Sequence, residues 1–187
     1  GSQTVSVTSP EVQTVAVNKE DNSKVFEPDT TVTLKDTVFY NNLIVGHKYT
    51  VTGTLMDEET GKAIKDIDGN IVTASVEFVP EAACGTVDVE FTFAATELYG
   101  KTIVAFEKLL FNGTVIASHE DINDEEQTTT VHNPEIMRTI AVSAVDEGKL
   151  IDASETSIIN DTVVYRHLST GHTYTLRSSL VDKTTGE

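Results

Sequence analysis

Apolar side chains recur at every second position through most of this chain. Thr86 to Phe93 alternates without a break, with Val87, Val89, Phe91 and Phe93 on one side and Thr86, Asp88, Glu90 and Thr92 on the other. The run around Tyr49, Val51 and Leu55 does the same. A period of two marks a strand with one buried face. No segment sustains helical periodicity, and Glu97-Leu98-Tyr99 is expected at most to close a short turn. Thr60-Gly61, Asp68-Gly69-Asn70 and Asn112-Gly113 supply turns between the runs. About eight short strands in roughly 120 residues predict an all-β, two-sheet sandwich of immunoglobulin-like architecture.

Three positions break the pattern. Asp36 shares its face with Val32, Leu34, Val38 and Tyr40; Glu107 with Ile103, Ala105, Leu109 and Phe111; His119 with Val115 and Ala117. All three side chains are therefore expected to point inward. A buried charge is costly unless it is paired, shares a proton or takes part in chemistry. Two carboxyls and an imidazole directed into one interior from three strands read as a prepared site.

The chain also repeats itself. Thr139 follows Thr14 by 125 residues (139 − 14 = 125), and the same offset aligns Asp36-Thr37-Val38 with Asp161-Thr162-Val163, Tyr40 with Tyr165, Gly46-His47 with Gly171-His172, and Tyr49-Thr50 with Tyr174-Thr175. No gap is needed from Thr14 onward, which is the mark of a tandem repeat. Gln3-Thr4 and Ser9-Pro10-Glu11 likewise parallel Gln127-Thr128 and Asn133-Pro134-Glu135. Residues 1–9 are thus read as the last strand of a preceding repeat or a linker. Residues 10–132 form one complete unit, and residues 133–187 the N-terminal half of a second, truncated one. The open sheet edges of that half are expected to need covering by further chain or by a second polypeptide.

Composition narrows the function. The 187 residues carry a formal charge of −17, which argues against nucleic acid, whose phosphates need Lys and Arg. No apolar run approaches the roughly 20 residues of a membrane-spanning helix, so no membrane insertion is expected of this segment. An apolar content of 39% is enough to build a core, and 6% aromatic residues with no Trp predict an aliphatic one. Cys84 is the sole cysteine, which leaves no intrachain disulfide, and it reads as a buried or idle thiol.

Val104-Ala105-Phe106-Glu107, Ala117-Ser118-His119-Glu120-Asp121-Ile122-Asn123-Asp124 with Gln127, and Asp36-Thr37-Val38-x-Tyr40-x-Asn42-Leu43 together resemble the VaFE repeats of Gram-positive surface proteins, also known as Thr–Gln ester-bond domains. The resemblance covers residues from about Glu11 to Val131 and the half unit that follows. It implies a Cna-B-type sandwich in a cell-wall-anchored, extracellular adhesin. It also implies an intramolecular ester between a Thr hydroxyl on the first strand and a Gln carboxamide on the last. Carried onto this chain, the hydroxyl is that of Thr14 and the acceptor is Gln127. Thr4, Thr8 and Thr30 are also available, but only Thr14 has a repeat partner in a Thr-x-Ala-Val context, Thr139. Thr139 and Asp161 form the corresponding half site of the second repeat, and Gln3 is the acceptor left from a preceding one.

The chemistry is consistent with those side chains. A Thr hydroxyl needs a base to remove its proton, a role for His119. A primary amide is a poor electrophile and needs its carbonyl oxygen stabilised. Two inward carboxyls close together cannot both ionise, so Asp36 and Glu107 are expected to share a proton and offer a neutral acid. Glu107 is assigned as donor and Asp36 as partner; the reverse stays open because coupled groups titrate as a pair. The reaction runs once per molecule, so no enzymatic turnover and no cofactor are expected, and the neighbouring repeats are the expected partners.

Two competing readings are a Lys–Asn isopeptide bond, disfavoured because Lys35 faces away from Asp36 and Lys19 and Lys101 lie near strand ends, and an uncross-linked ligand-binding module. The acidic run from Asp121 to Glu126 reads as a solvated connection in preference to a calcium loop. His47 and His172 read as turn residues, and His132 and His167 as surface residues. No metal site is expected.

Overall fold

The computed structural model describes residues 8–153 and 156–186. Residues 11–131 fold into two packed antiparallel layers, and the strands follow the alternation closely. One layer holds β1 (Glu11–Asn18), β3 (Val32–Asn41) and β7 (Gly85–Phe93), in the order β1-β3-β7. The other holds β2 (Val25–Phe26), β4 (Tyr49–Asp57), β5 (Lys62–Ala63), β6 (Thr73–Phe78), β8 (Thr102–Phe111), β9 (Thr114–His119) and β10 (Thr128–Val131). Two of these strands, β2 and β5, span two residues each, which leaves eight longer ones as the sequence predicts. The only parallel pairing among them is β2 with β10. Beyond β10, β11 (Glu135–Ser143) and β12 (Ile159–Arg166) form a separate two-stranded sheet. No helix among the described residues is long and apolar enough to cross a membrane.

The core lies between the layers. Ala16, Leu34, Val38, Val89 and Phe91 on one side meet Val51, Leu55, Ile103, Ala105 and Leu109 on the other, with Phe26 closing one end. Burying such side chains stabilises the fold by about 1.5–3 kcal/mol each. The β8–β9 hairpin turns at Asn112-Gly113, both with positive φ (50° and 76°), the backbone that suits the twist of a two-residue hairpin.

The pairing on β8 matters most for the site. The C-terminal half of β8 pairs with β9, from Glu107 opposite His119 to Phe111 opposite Thr114. Its N-terminal residues Thr102–Val104 pair with β10 along the same edge. Between the two partners the chain leaves the sheet through Glu120–Asp124 and the 3-10 turn Glu125–Gln127. A gap therefore opens on the β8 edge at Ala105.

Two departures from simple alternation are informative. Register slips between Leu109 and Leu110 because Ile116 is an extra residue on β9. Ile116 and Ala117 pack on the core while Val115 is exposed, which corrects the expectation that Val115 shares the inward face of His119. In β11 a similar slip lies between Ile136 and Arg138, with Met137 unpaired. The bulge absorbs the one residue by which Pro134–Thr139 exceeds Pro10–Thr14. Beyond it the registers agree: Thr14 opposes Val38 and Ala16 opposes Asp36, as Thr139 opposes Val163 and Ala141 opposes Asp161. The expected last-strand remnant at residues 1–9, including Gln3, lies outside the described residues but for its final two.

Candidate functional site

The site is assembled across the sandwich. β1 supplies Thr14 and β3 supplies Asp36 from one layer; β8 supplies Glu107 and β9 His119 from the other. Gln127 closes it from the end of the 3-10 turn. Asp36, Glu107 and Gln127 are inaccessible to solvent and Thr14 is 2% exposed. His119 is partly open, with 21% of its side chain exposed. The three inward groups predicted from alternation thus meet in one place with Thr14 and Gln127.

Glu107 is the hub. The Thr14 hydroxyl donates to Glu107 Oε2 at 3.3 Å, and Thr14 Oγ1 also lies 3.3 Å from His119 Nδ1. A hydroxyl has one proton, so it serves one of these acceptors at a time. The Gln127 amide Nε2 donates to Glu107 Oε2 at 3.1 Å, to His119 O at 3.1 Å and to Ala105 O at 2.6 Å. The last of these fills the gap on β8, where a side-chain amide takes the place of a strand. One carboxyl oxygen of Glu107 therefore touches both the hydroxyl and the carboxamide.

Four buried acceptors have no donor: both Asp36 oxygens, Glu107 Oε1 and Gln127 Oε1. Buried polar atoms left in this state are costly. A proton on the carboxyl pair relieves the arrangement, and the titration follows. Burial pushes Glu107 up to about 11, assisted by the neighbouring Asp36 carboxyl and its charge. Asp36 is also raised, again chiefly by burial. The pair therefore holds a proton through the neutral range. The remaining orphan, Gln127 Oε1, is the carbonyl oxygen on which negative charge would develop during attack.

Gly53, opposite Glu107 in the β4–β8 ladder, makes room for this. A Cβ there would lie 2.3 Å from Phe91 Cζ and 3.3 Å from Glu107 Oε1. On the outer side, Thr14, His119 and Asp124 line a shallow depression open to solvent.

One member was missed by the alternation. Asp124 Oδ2 lies 3.0 Å from His119 Nε2, while Asp124 Oδ1 accepts from Glu126 N at 2.8 Å and caps the 3-10 turn. It sits in the acidic run expected to be a solvated connection; its signal was its place at the end of the Ala117–Asp124 motif, three residues before Gln127. With Nε2–H given to Asp124, the lone pair of His119 Nδ1 faces Thr14.

The remaining predicted positions lie apart. Thr139 and Asp161 are both exposed, on a two-stranded sheet with no second layer among the described residues. Cys84 is exposed, not buried. His132 and His167, expected as separate surface residues, stack on each other with ring centroids 3.8 Å apart. Lys19 and Lys101 pair with surface carboxylates, and no lysine is among the buried residues described.

A family model of the T-Q ester bond containing domain matches residues 10–131 and again 135–187. No curated protein sequence gives a match. Among solved structures, a bacterial adhesin from Mobiluncus mulieris containing intramolecular disulfide, isopeptide and ester bond cross-links is similar in two crystal forms. One matches with 17% identity and a TM-score of 0.59 over 73% of this chain and 60% of that one. The other matches with 15% identity and a TM-score of 0.57 over 86% and 77%. At that identity the likeness is one of fold.

Proposed function

The chain belongs to the T-Q ester bond domain family, and from that premise we propose that residues 10–132 form an autocatalytic cross-linking module in the stalk of a cell-wall-anchored adhesin, joining Thr14 Oγ1 to the Gln127 side-chain carbonyl carbon. The observation that carries this reading is the single Glu107 oxygen in contact with both the Thr14 hydroxyl and the Gln127 amide.

In the proposed step His119 Nδ1 takes the Thr14 proton, and Oγ1 attacks the Gln127 carbonyl carbon. The protonated carboxyl pair donates to Gln127 Oε1 as charge builds there. The carbon–nitrogen bond then breaks, and the amine takes the proton from His119 and leaves as ammonia. The balance is one hydroxyl and one carboxamide consumed, one ester and one ammonia formed. The depression beside Thr14 and His119 offers ammonia a way out. Asp124 acts as a positioning residue through His119 and does not touch the reacting atoms.

The bond would link the first strand to the 3-10 turn that leads directly into the last, so a pull on the two ends of the unit loads the ester instead of the sheets. It is made once, and no turnover follows. A Lys–Asn bond has no support here, since no described lysine is buried beside the carboxyls.

The test is the intact mass of the purified chain before and after hydroxylamine under denaturing conditions. The expected result is a deficit of one ammonia that hydroxylamine abolishes, absent from Thr14→Ala and Gln127→Ala. A full mass, or a deficit that survives hydroxylamine, overturns the reading.

A further inference from the structure

We propose that Glu27, His132 and His167 form a zinc-class metal site that pins the second unit to the first. The three residues come from segments far apart in the chain. Glu27 follows β2 and His132 follows β10, and the parallel pairing of Val131 with Phe26 sets these next residues side by side. His132 N donates to Phe26 O at 3.0 Å, which fixes that corner. His167 follows β12 and belongs to the other unit. It arrives with Nδ1 2.8 Å from Glu27 Oε2, while His132 Nε2 is 3.8 Å from Glu27 Oε1.

Each residue offers one ligand atom, and the three atoms all lie within 4.8 Å of one another. Two imidazoles and a carboxylate are a donor set for Zn²⁺, with ligand distances of about 2.0–2.2 Å and a fourth position left for water. Closing onto one ion requires the ligand atoms to draw in by about an ångström. Glu27 and His132 can make that movement, since their side chains are 61% and 41% exposed. His167 is the fixed member at 16%.

The junction around the trio is already built. Ser169 Oγ donates to Pro28 O. Tyr99 OH lies 2.9 Å from Ser169 Oγ and 2.8 Å from Tyr174 OH, so a hydrogen-bonded corner seats the loop after His167 against the first unit. The repeat shows what is particular to this corner. His167 aligns with Asn42; both have positive φ, 59° and 62°. The Asn42 side chain donates to Ser9 O at 2.9 Å, whereas the second unit carries an imidazole turned to a carboxylate. Glu20, Asp21 and Asp29 line the groove that Glu27 and His132 border, and a field of that sign concentrates cations.

The experiment is titration of the whole chain with Zn²⁺ by calorimetry, and with Co²⁺ by visible absorption. One equivalent is expected, with the absorption bands of four-coordinate cobalt. His132→Gln and His167→Gln should each weaken binding by at least about tenfold and Glu27→Gln by a similar factor, while His47→Gln leaves it unchanged. Small-angle scattering adds a readout independent of affinity: zinc should narrow the distribution of inter-unit distances in the parent and not in His167→Gln. Absence of saturable one-to-one binding overturns the proposal, as does binding that survives both histidine substitutions. The cross-link is not involved, so Thr14→Ala should bind zinc equally well.

Discussion

Asp124 joins two jobs in one carboxyl: its Oδ2 lies 3.0 Å from His119 Nε2, and its Oδ1 caps the turn that carries Gln127. In the proposed mechanism the orientation of the base and the placement of the acceptor are therefore set by the same side chain. Thr14 takes part from the opposite layer, 3.3 Å from His119 Nδ1, so three elements converge on the proposed proton path.

Asp124→Asn is expected to fold normally, because Asn caps a turn about as well as Asp. It should slow ester formation by about 10²-fold or more, since an amide can present the wrong partner to Nε2 and lose the tautomer that faces Thr14. Asp124→Ala should add a capping loss of about 1 kcal/mol. The check is the time course of ammonia loss by mass spectrometry after refolding, with His119→Ala as the slower limit. An unchanged rate in Asp124→Asn would remove Asp124 from the mechanism.

The buried carboxyl pair makes a pH prediction for the uncross-linked domain. Glu107 has an ordinary value of 4.5 and is raised to about 11 in the fold, so the folded state binds a proton that the unfolded state releases above pH 4.5. The sign follows from linkage: this contribution is fully present below pH 4.5 and is lost as pH rises toward 11. Thr14→Ala should thus unfold more readily in urea at pH 9 than at pH 5. Thr14→Ala combined with Glu107→Gln should show a flatter profile. Greater stability of Thr14→Ala at pH 9 than at pH 5 would contradict the proton assignment.

Gly53→Ala places a methyl group 2.3 Å from Phe91 Cζ and 3.3 Å from Glu107 Oε1. The ring must move, and the added methyl also crowds the Glu107 carboxyl. Overpacking of this kind costs about 1–3 kcal/mol, measurable by denaturant unfolding in the Thr14→Ala background, where no ester obscures the change. Ester formation should also slow, because Glu107 is displaced from its contact with both reactants.

Period-two reasoning found Asp36 and Glu107 because β3 and β8 hold their phase from one buried position to the next, whereas Gln127, in the 3-10 turn before β10, came from the family resemblance. It failed at Val115, where the extra residue Ile116 rotates β9 by one position; one unpaired residue reverses inside and outside. Asp124 was hidden for a different reason. Its role depends on a gap between two strands that share the β8 edge, a property of pairing and not of local pattern. The His132–His167 stack joins positions that belong to different units, and neither histidine has a repeat counterpart to mark it.

The cross-link itself should be readable as stability. The proposed ester would close 113 residues (127 − 14 = 113), and by analogy with a disulfide such a closure contributes about 4–5 kcal/mol by restricting the unfolded chain. Thr14→Ala removes the bond together with a hydroxyl whose contacts are 3.3 Å long, so little native hydrogen bonding is lost with it. The variant should fold to the same sandwich, as the core residues are untouched, but melt roughly 15 °C lower. Force discriminates further. Pulled at its ends, the parent unit should show no extension from residues between Thr14 and Gln127, because the covalent path bypasses them. Thr14→Ala should unfold with the full contour length of that segment. Equal extension in the two proteins would mean that no bond closes the loop, whatever the buried site does.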